Sequence, residues 1–160
     1  MRKAMLLAVS MLLFAACSKE EPTAPEPTWL TETKALLVGS WHGELYSESF
    51  NTTESEDIVF SPFSTPYEEV SLFGTFEAYG VAEVEQYQND HLLQVSKRCL
   101  FTIVGNEEGK GVTVSFYPCD EGNEVVGKED KRTLVRVSST EFKMRPYGTT
   151  ERNNKTYTKQ

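Results

Sequence analysis

Histidine and cysteine, the residues that most often build metal and nucleophile sites, are scarce in this chain. Of its 160 residues, only two are histidine and three are cysteine. A zinc site needs three or four converging ligands, and neither His42 nor His91 has a second histidine or a cysteine at ligand spacing. The sequence also lacks a Gly-x-Ser-x-Gly nucleophile turn. We therefore expect no metal, no cofactor and no enzymatic activity.

Basic residues are outnumbered, because 16 Lys and Arg stand against 24 Asp and Glu, a formal net charge of −8. Residues 1–16 hold two of the basic residues and no acidic ones, so the rest of the chain carries a formal charge of −10. Nucleic-acid binding requires clustered Lys and Arg, and an acidic surface repels the phosphate backbone. We therefore do not expect nucleic acid as a partner.

No apolar run is long enough for a comfortable membrane-spanning helix. The longest largely apolar stretch, residues 4–16, has 13 residues. A helix needs roughly 20 apolar residues to cross the hydrocarbon core. Arg2 and Lys3 precede this stretch, and Ala15-Ala16 ends it. A positive start, an apolar middle and a small-residue end predict a cleavable signal peptide over residues 1–16.

The segment Leu13-Phe14-Ala15-Ala16-Cys17 resembles the lipobox of bacterial lipoprotein precursors, although Phe14 departs from the commonest choice. The resemblance implies that Cys17 is lipidated and becomes the first mature residue, anchored to the bacterial outer membrane. The short polar run at residues 18–21, which ends in two adjacent glutamates, is similar to surface-export signals of Bacteroidetes lipoproteins and implies exposure at the cell surface. In the alternative, an ordinary secreted protein, Cys17 carries no lipid.

The chain after Cys17 divides into a spacer and one domain. Residues 18–28 carry three prolines among Glu and Thr, a composition that favours extended, solvated chain. The remaining length suits a single domain with its own core. We predict a signal peptide at 1–16, the lipidated cysteine with a flexible spacer at 17–34, and a β-barrel domain at 35–160.

From Gly39 onward, short runs of alternating residues are separated by Gly, Asn and acidic clusters, a pattern typical of antiparallel β-structure. The predicted strands are 40–47, 57–60, 72–79, 81–88, 91–104, 112–116, 133–137, 141–145 and 155–159. Only residues 29–38 look helical. With so little helix, we expect an all-β fold, an antiparallel meander that closes into an eight-stranded barrel, with a β-sandwich as the alternative.

Gly39-Ser40-Trp41 opens the first predicted strand and resembles the Gly-x-Trp motif of the lipocalin and wider calycin families. Small lipocalin-like lipoproteins of Bacteroidetes look similar along the whole chain. The resemblance implies that Gly39 lets the backbone enter the barrel, that Trp41 covers its floor, and that an arginine from a late strand packs on the indole. Arg136 is the candidate and Arg145 the reserve. Alternatively, Trp41 is simply a core aromatic.

A lipocalin-like barrel implies a small, partly apolar ligand held in the barrel mouth. An eight-stranded barrel is just wide enough for one such ligand or for its own side chains. The candidate lining residues are Phe76, Val84, Val95, Phe101, Val114, Phe116 and Phe142. In the alternative the interior is filled, and the loops at 48–56, 61–69 and 105–111 contact a partner protein or a glycan.

Two pairs of residues remain open to interpretation. Export would place Cys99 and Cys119 where a disulfide can form, but pairing Val104 with Val112 sets Cys99 opposite Tyr117, so a bridge needs a bulge near residue 118. The bridge therefore stays an open alternative, structural rather than catalytic. The other pair, Glu83 and Glu85, shares one face of a strand at about 7 Å, which suits either a glycosidase pair or, as we favour, a solvated outer face.

Overall fold

Helix α1 and eight strands make up most of the part of the chain that the structure describes. The computed structural model describes residues 26–105, 111–136 and 138–160, except for the side chains of residues 94, 95 and 136. The elements are α1 (Thr28–Leu37), β1 (Gly39–Ser47), β2 (Thr52–Ser71), β3 (Gly74–Gln88), β4 (His91–Gly105), β5 (Val112–Pro118), β6 (Asp130–Arg136), β7 (Glu141–Pro146), a 3₁₀ turn (Glu151–Asn153) and β8 (Lys155–Lys159). The predicted signal peptide and Cys17 lie outside the described residues.

Each strand pairs antiparallel with the next along the chain, and β8 pairs back with β1 to close the barrel. The predicted all-β, lipocalin-like eight-stranded barrel with a short N-terminal helix is therefore confirmed, and the sandwich alternative is wrong. The predicted strands 72–79 and 81–88 are a single strand, β3. Residues 28–34, on the spacer side of the predicted domain boundary, belong to α1.

Strand β2 is much longer than predicted, because residues 61–69 are strand rather than loop. Strand β1 pairs with β2 only as far as Phe60, and β4 pairs with β3 only from Gly80 onward. The remainder of β2 and β3 is thus a two-stranded extension, which we call the distal hairpin (residues 61–79). Both prolines of β2, Pro62 and Pro66, lie in this extension. One side of β2 is an unpaired edge there. Proline has no backbone N–H, and at such an edge its absence removes no hydrogen bond between strands.

Helix α1 lies against the barrel end where β1 begins and β4 ends. Its buried residues Leu30, Thr33 and Leu37 recur at helical spacing and so lie along one face. The ring of Trp29 occupies the space beside Gly105 that a Cβ would fill. The helix therefore covers this end of the barrel, which we call the closed end.

Gly39 and Trp41 carry the chain from α1 into the barrel. Gly39 has φ +112°, a backbone conformation that costs glycine little and other residues much. Trp41 is fully buried, its indole N–H donates to the Leu37 carbonyl at 2.9 Å, and its ring lies 4.6 Å from that of Phe142. The cation over Trp41 is Lys159, with its amine 5.2 Å from the ring centroid.

This cation comes from a different strand than the sequence suggested. Lys159 pairs directly with Trp41 across β8 and β1, so its side chain reaches the indole without crossing the barrel. The reserve candidate, Arg145, lines the opposite end of the barrel instead. The side chain of Arg136 lies outside the described part.

The half of the barrel next to α1 is filled by its own side chains. The rings of Phe60, Phe101 and Phe116 contact one another there, with centroids 5.1 and 5.9 Å apart for the two pairs that share Phe60. Ile58 and Val114 complete the packing and are fully buried. Aromatic side chains bury the most area per residue and so fill a barrel interior efficiently.

A second, smaller cluster lies outside the barrel wall. The distal hairpin folds over the outer face of β4 and β5, and the Phe76 ring stacks on Tyr117 with centroids 3.7 Å apart. Opposite Tyr79 the register of β2 jumps from Pro62 to Tyr67. An irregularity of this kind accompanies local twisting of a strand pair, and Phe76, which was expected to line the barrel interior, packs outside the wall.

Cys99 and Cys119 are free thiols in the structure. Strand β4 pairs Gly105 with Val112, so Cys99 lies opposite residue 118, one position away from the predicted register. Cys99 belongs to the barrel interior, whereas Cys119 belongs to the outer cluster. The two thiols therefore lie on opposite faces of the sheet, and burial raises the pKa of the Cys99 thiol to about 11.

Candidate ligand site in the barrel mouth

The barrel end opposite α1 is an open recess of about 310 Å³, which we call the mouth. It is formed where β1, β3 and β7 end and where β2, β6 and β8 begin. Its lining residues are Leu45, Glu54, Glu56, Gln86, Asp130, Arg132, Met144, Arg145, Pro146, Asn153, Lys155 and Tyr157. The mouth is thus an amphipathic cavity with six ionisable groups of Asp, Glu, Lys and Arg in its wall.

A buried ion pair forms the floor of the mouth. Arg132 donates from both terminal nitrogens to the Glu56 carboxylate, at 2.5 and 3.1 Å. Tyr157 and Gln86 also donate to Glu56, at 2.6 and 2.8 Å, so the carboxylate accepts four hydrogen bonds. Arg132 reaches Asp130 as well, at 2.7 Å. Such bidentate, shared contacts hold both charged groups in one geometry.

The surroundings of Glu56 stabilise its ionised form. Burial alone raises the pKa of a carboxyl group, but the charge and hydrogen bonds of Arg132 outweigh it and lower the pKa of Glu56 to about 2. Tyr157 responds in the opposite direction, because burial and the Glu56 charge raise the pKa of its hydroxyl. At neutral pH the floor therefore consists of a carboxylate, a guanidinium and a neutral phenol.

Two further cations line the mouth with unused hydrogen-bond donors. The Lys155 amine makes no hydrogen bond or ion pair with any residue in the described part of the chain. Burial lowers the pKa of its amine, and Arg132 adds to this effect against the opposing pull of Glu56. Arg145 donates to Asn154 at 3.0 Å, but its Nε is buried without a partner. Of these two donors, the Lys155 amine lines a cavity that is open to small molecules, whereas the Arg145 Nε is enclosed within the wall.

The residues predicted to line a ligand cavity do not line the mouth. Five of them pack in the filled half of the barrel, where alternation does point them inward: Val84, Phe101, Val114, Phe116 and Phe142. Phe76 lies outside the wall, and the side chain of Val95 lies outside the described part. The prediction placed these side chains on the inner face of the barrel but did not consider their position along the barrel axis. In the half next to α1, the side chains fill the interior.

Sequence reasoning missed the polar residues of the mouth. Glu56 belongs to the acidic stretch 54–57, which reads as a loop, although it alternates with the apolar Ile58 and Phe60. Arg132 lies 76 residues further along and has no local pattern of its own. The alternation of residues along β2 was the only sequence signal that Glu56 faces the interior, and it does not indicate Arg132 as its partner.

The outer face of the barrel presents its own polar groups. His42 faces outward, with Nδ1 2.6 Å from Asp57 and Nε2 3.1 Å from Glu44, and these bonds raise its pKa. Glu83 forms an ion pair with Arg98 at 3.8 Å, and Glu85 accepts from Tyr87. Both glutamates are thus engaged on the solvated face.

A groove of about 390 Å³ lies between the distal hairpin and the outer face of β4 and β5.

Within residues 26–105, 111–136 and 138–160, no group of three or more His, Cys, Asp or Glu side chains is arranged to hold a metal ion. No helix in this part of the chain is long and apolar enough to span a membrane.

Fold and mouth together define a lipocalin-like eight-stranded barrel, filled at one end and open at the other. A scan of protein-family models and searches of curated proteins and of solved structures find no match to the chain.

Proposed function

We propose that the protein is a membrane-tethered, lipocalin-like binding protein that holds a small, partly apolar ligand in the mouth of its barrel. The observation that carries this proposal is the division of the interior into a filled half and an open recess of about 310 Å³. Small-molecule sites are concave, begin at roughly 300 Å³ and combine apolar walls with a few fixed polar groups. Leu45 and Met144 supply apolar wall, and the Glu56–Arg132 pair supplies fixed polarity.

A neutral apolar dye such as Nile red tests this proposal in the purified protein. Leu45 lines the mouth, so Leu45→Trp fills part of the recess. Glu44 is exposed on the outer face of the same strand, which makes Glu44→Trp the matched control. We expect saturable dye binding that Leu45→Trp weakens about tenfold, a loss of about 1.4 kcal/mol, and that Glu44→Trp leaves unchanged. Absence of saturable binding, or equal affinity in both variants, contradicts the proposal.

One observation favours the alternative, a surface scaffold that contacts a partner protein or a glycan. The turn of the distal hairpin presents apolar side chains to solvent, with Leu72 fully exposed and Val70 71 % exposed. Of the segments predicted to make such contacts, 52–56 and 61–69 are strand and 106–110 lie outside the described residues, so the candidate surface is the exposed tip. Site-specific photo-cross-linking at position 72 in cells tests it: a discrete adduct supports the scaffold, and none speaks against it.

A further inference from the structure

We infer that the mouth is specific for ligands bearing an anionic group, a carboxylate or a phosphate, with Lys155 as the residue that binds it. This inference rests on the proposed small-ligand function and specifies its ligand class. Some polar groups of the mouth already have partners within the protein, and others do not.

The net charge of the mouth does not indicate which class of ligand it binds. The mouth holds three acidic residues and three basic ones, so its formal charges cancel. Glu56 and Asp130 are both engaged by Arg132 in short hydrogen bonds. The third acid, Glu54, is exposed at the rim, where water solvates it. The acidic groups within the recess are therefore committed to the protein's own arginine.

The basic groups, by contrast, retain donors. The Lys155 amine has three N–H donors and no partner among the described residues. The Nε of Arg145 is also unpaired, but it is enclosed within the wall and not exposed to the recess. An anionic acceptor in the recess can therefore hydrogen-bond to the Lys155 amine, and a bond between charged groups is stronger than one between neutral groups.

The position of Lys155 suits a ligand rather than a structural role. It is the first residue of β8, paired with Met144, so its side chain enters the mouth beside an apolar wall. Arg132 is part of the floor and is held by Glu56 and Asp130, which prevents it from binding an incoming anion. An amphipathic anion would place its charged group at Lys155 and its apolar part against Met144 and Leu45.

Three compounds that differ only in the polar group test the inference on the purified protein: 4-phenylbutyrate, 4-phenylbutan-1-ol and 4-phenylbutylamine, titrated by calorimetry. A hydrogen bond between charged groups predicts binding of the carboxylate about tenfold tighter than that of the alcohol, with the amine weakest. Lys155→Met should remove this preference by weakening binding of the carboxylate about tenfold, whereas Lys155→Arg should preserve it. Lys143→Met, which removes the same charge from the adjacent strand β7, is the control and should have no effect.

The outcomes separate the two proposals. Equal affinities for the three compounds, or tightest binding of the amine, overturn the anion preference and leave the binding function in place. A carboxylate preference that survives Lys155→Met overturns the role of Lys155. Failure of all three compounds to bind, together with no binding of the neutral dye, overturns the binding function itself.

Discussion

At the scale of single residues, Arg132 determines the state of the mouth because its guanidinium forms ion pairs with two carboxylates, Glu56 and Asp130. Its guanidinium also lies over the Phe116 ring, 4.9 Å from the centroid, and so joins the polar floor to the aromatic core. Removing one partner of a buried ion pair leaves the other charge uncompensated, whereas replacing both with apolar groups is often tolerated.

Arg132→Met should therefore lower the free energy of unfolding by about 3–5 kcal/mol, and the double variant with Glu56→Leu should recover most of that loss. Urea denaturation followed by tryptophan fluorescence measures both. Glu83→Gln, which removes an exposed ion pair, is the control and should change stability by less than about 1 kcal/mol. A double variant no more stable than Arg132→Met would show that Glu56 is not the group left uncompensated.

Glu56 makes stability depend on pH in a defined window. Its pKa is about 2 in the folded protein against an ordinary value of 4.5, so its contribution is complete above pH 4.5 and is lost as the pH falls toward 2. The shift corresponds to about 3 kcal/mol. Urea midpoints at pH 7, 4.5 and 3 should show this loss in the wild-type protein and a flatter profile in Glu56→Gln. Parallel profiles for the two proteins would contradict the assignment.

At the scale of elements, the distal hairpin is anchored differently from the rest of the barrel. Residues 61–79 pair only between β2 and β3, and their contacts with the rest of the protein include those of Phe63, Phe76, Ala78 and Tyr79, whereas the barrel strands pair on both sides. Regions with few apolar contacts and one-sided pairing open locally at lower free energy than the core. The hairpin should thus open without unfolding the barrel.

Phe76→Ala should detach the hairpin selectively. Loss of the stacked ring pair with Tyr117 is expected to cost about 1 kcal/mol and to accelerate amide exchange in residues 63–79. Phe101→Ala, within the barrel core, should cost about 3–5 kcal/mol globally. Hydrogen exchange with mass spectrometry distinguishes the two patterns. Uniform acceleration across the barrel in Phe76→Ala would show that the hairpin is part of the same cooperative unit.

At the scale of the whole molecule, the proposed tether determines where the barrel acts. The proposal depends on the resemblance of residues 13–17 to a lipobox, and several acyl chains on one cysteine hold a protein firmly at a bilayer, at about 0.8 kcal/mol per buried methylene. Cys17→Ser should move the protein from the membrane fraction to the soluble fraction. Cys99→Ser, which replaces a buried thiol, is the control and should leave the partition unchanged. An unchanged partition of Cys17→Ser would contradict lipidation.

Much of the fold was predictable from the sequence, because alternation along a strand reports directly which face is buried. Strands β1 and β4 to β8 lie within a few residues of their predicted bounds, and Gly39 and Trp41 lie at the closed end, as the motif implied. The mouth was not predictable. The Glu56–Arg132 pair joins strands 76 residues apart, and no local pattern encodes the partner of a buried charge.

The sequence by itself determined an antiparallel barrel with α1 at one end, since these features depend on local alternation and on glycine's backbone freedom at residue 39. The tertiary structure alone decided which half of the interior is filled, where the distal hairpin folds, and which cation covers Trp41. These three depend on depth in the barrel, on a register jump in β2, and on the pairing of Lys159 with Trp41 across strands. Each is a relation between distant segments, which only the closed barrel brings together.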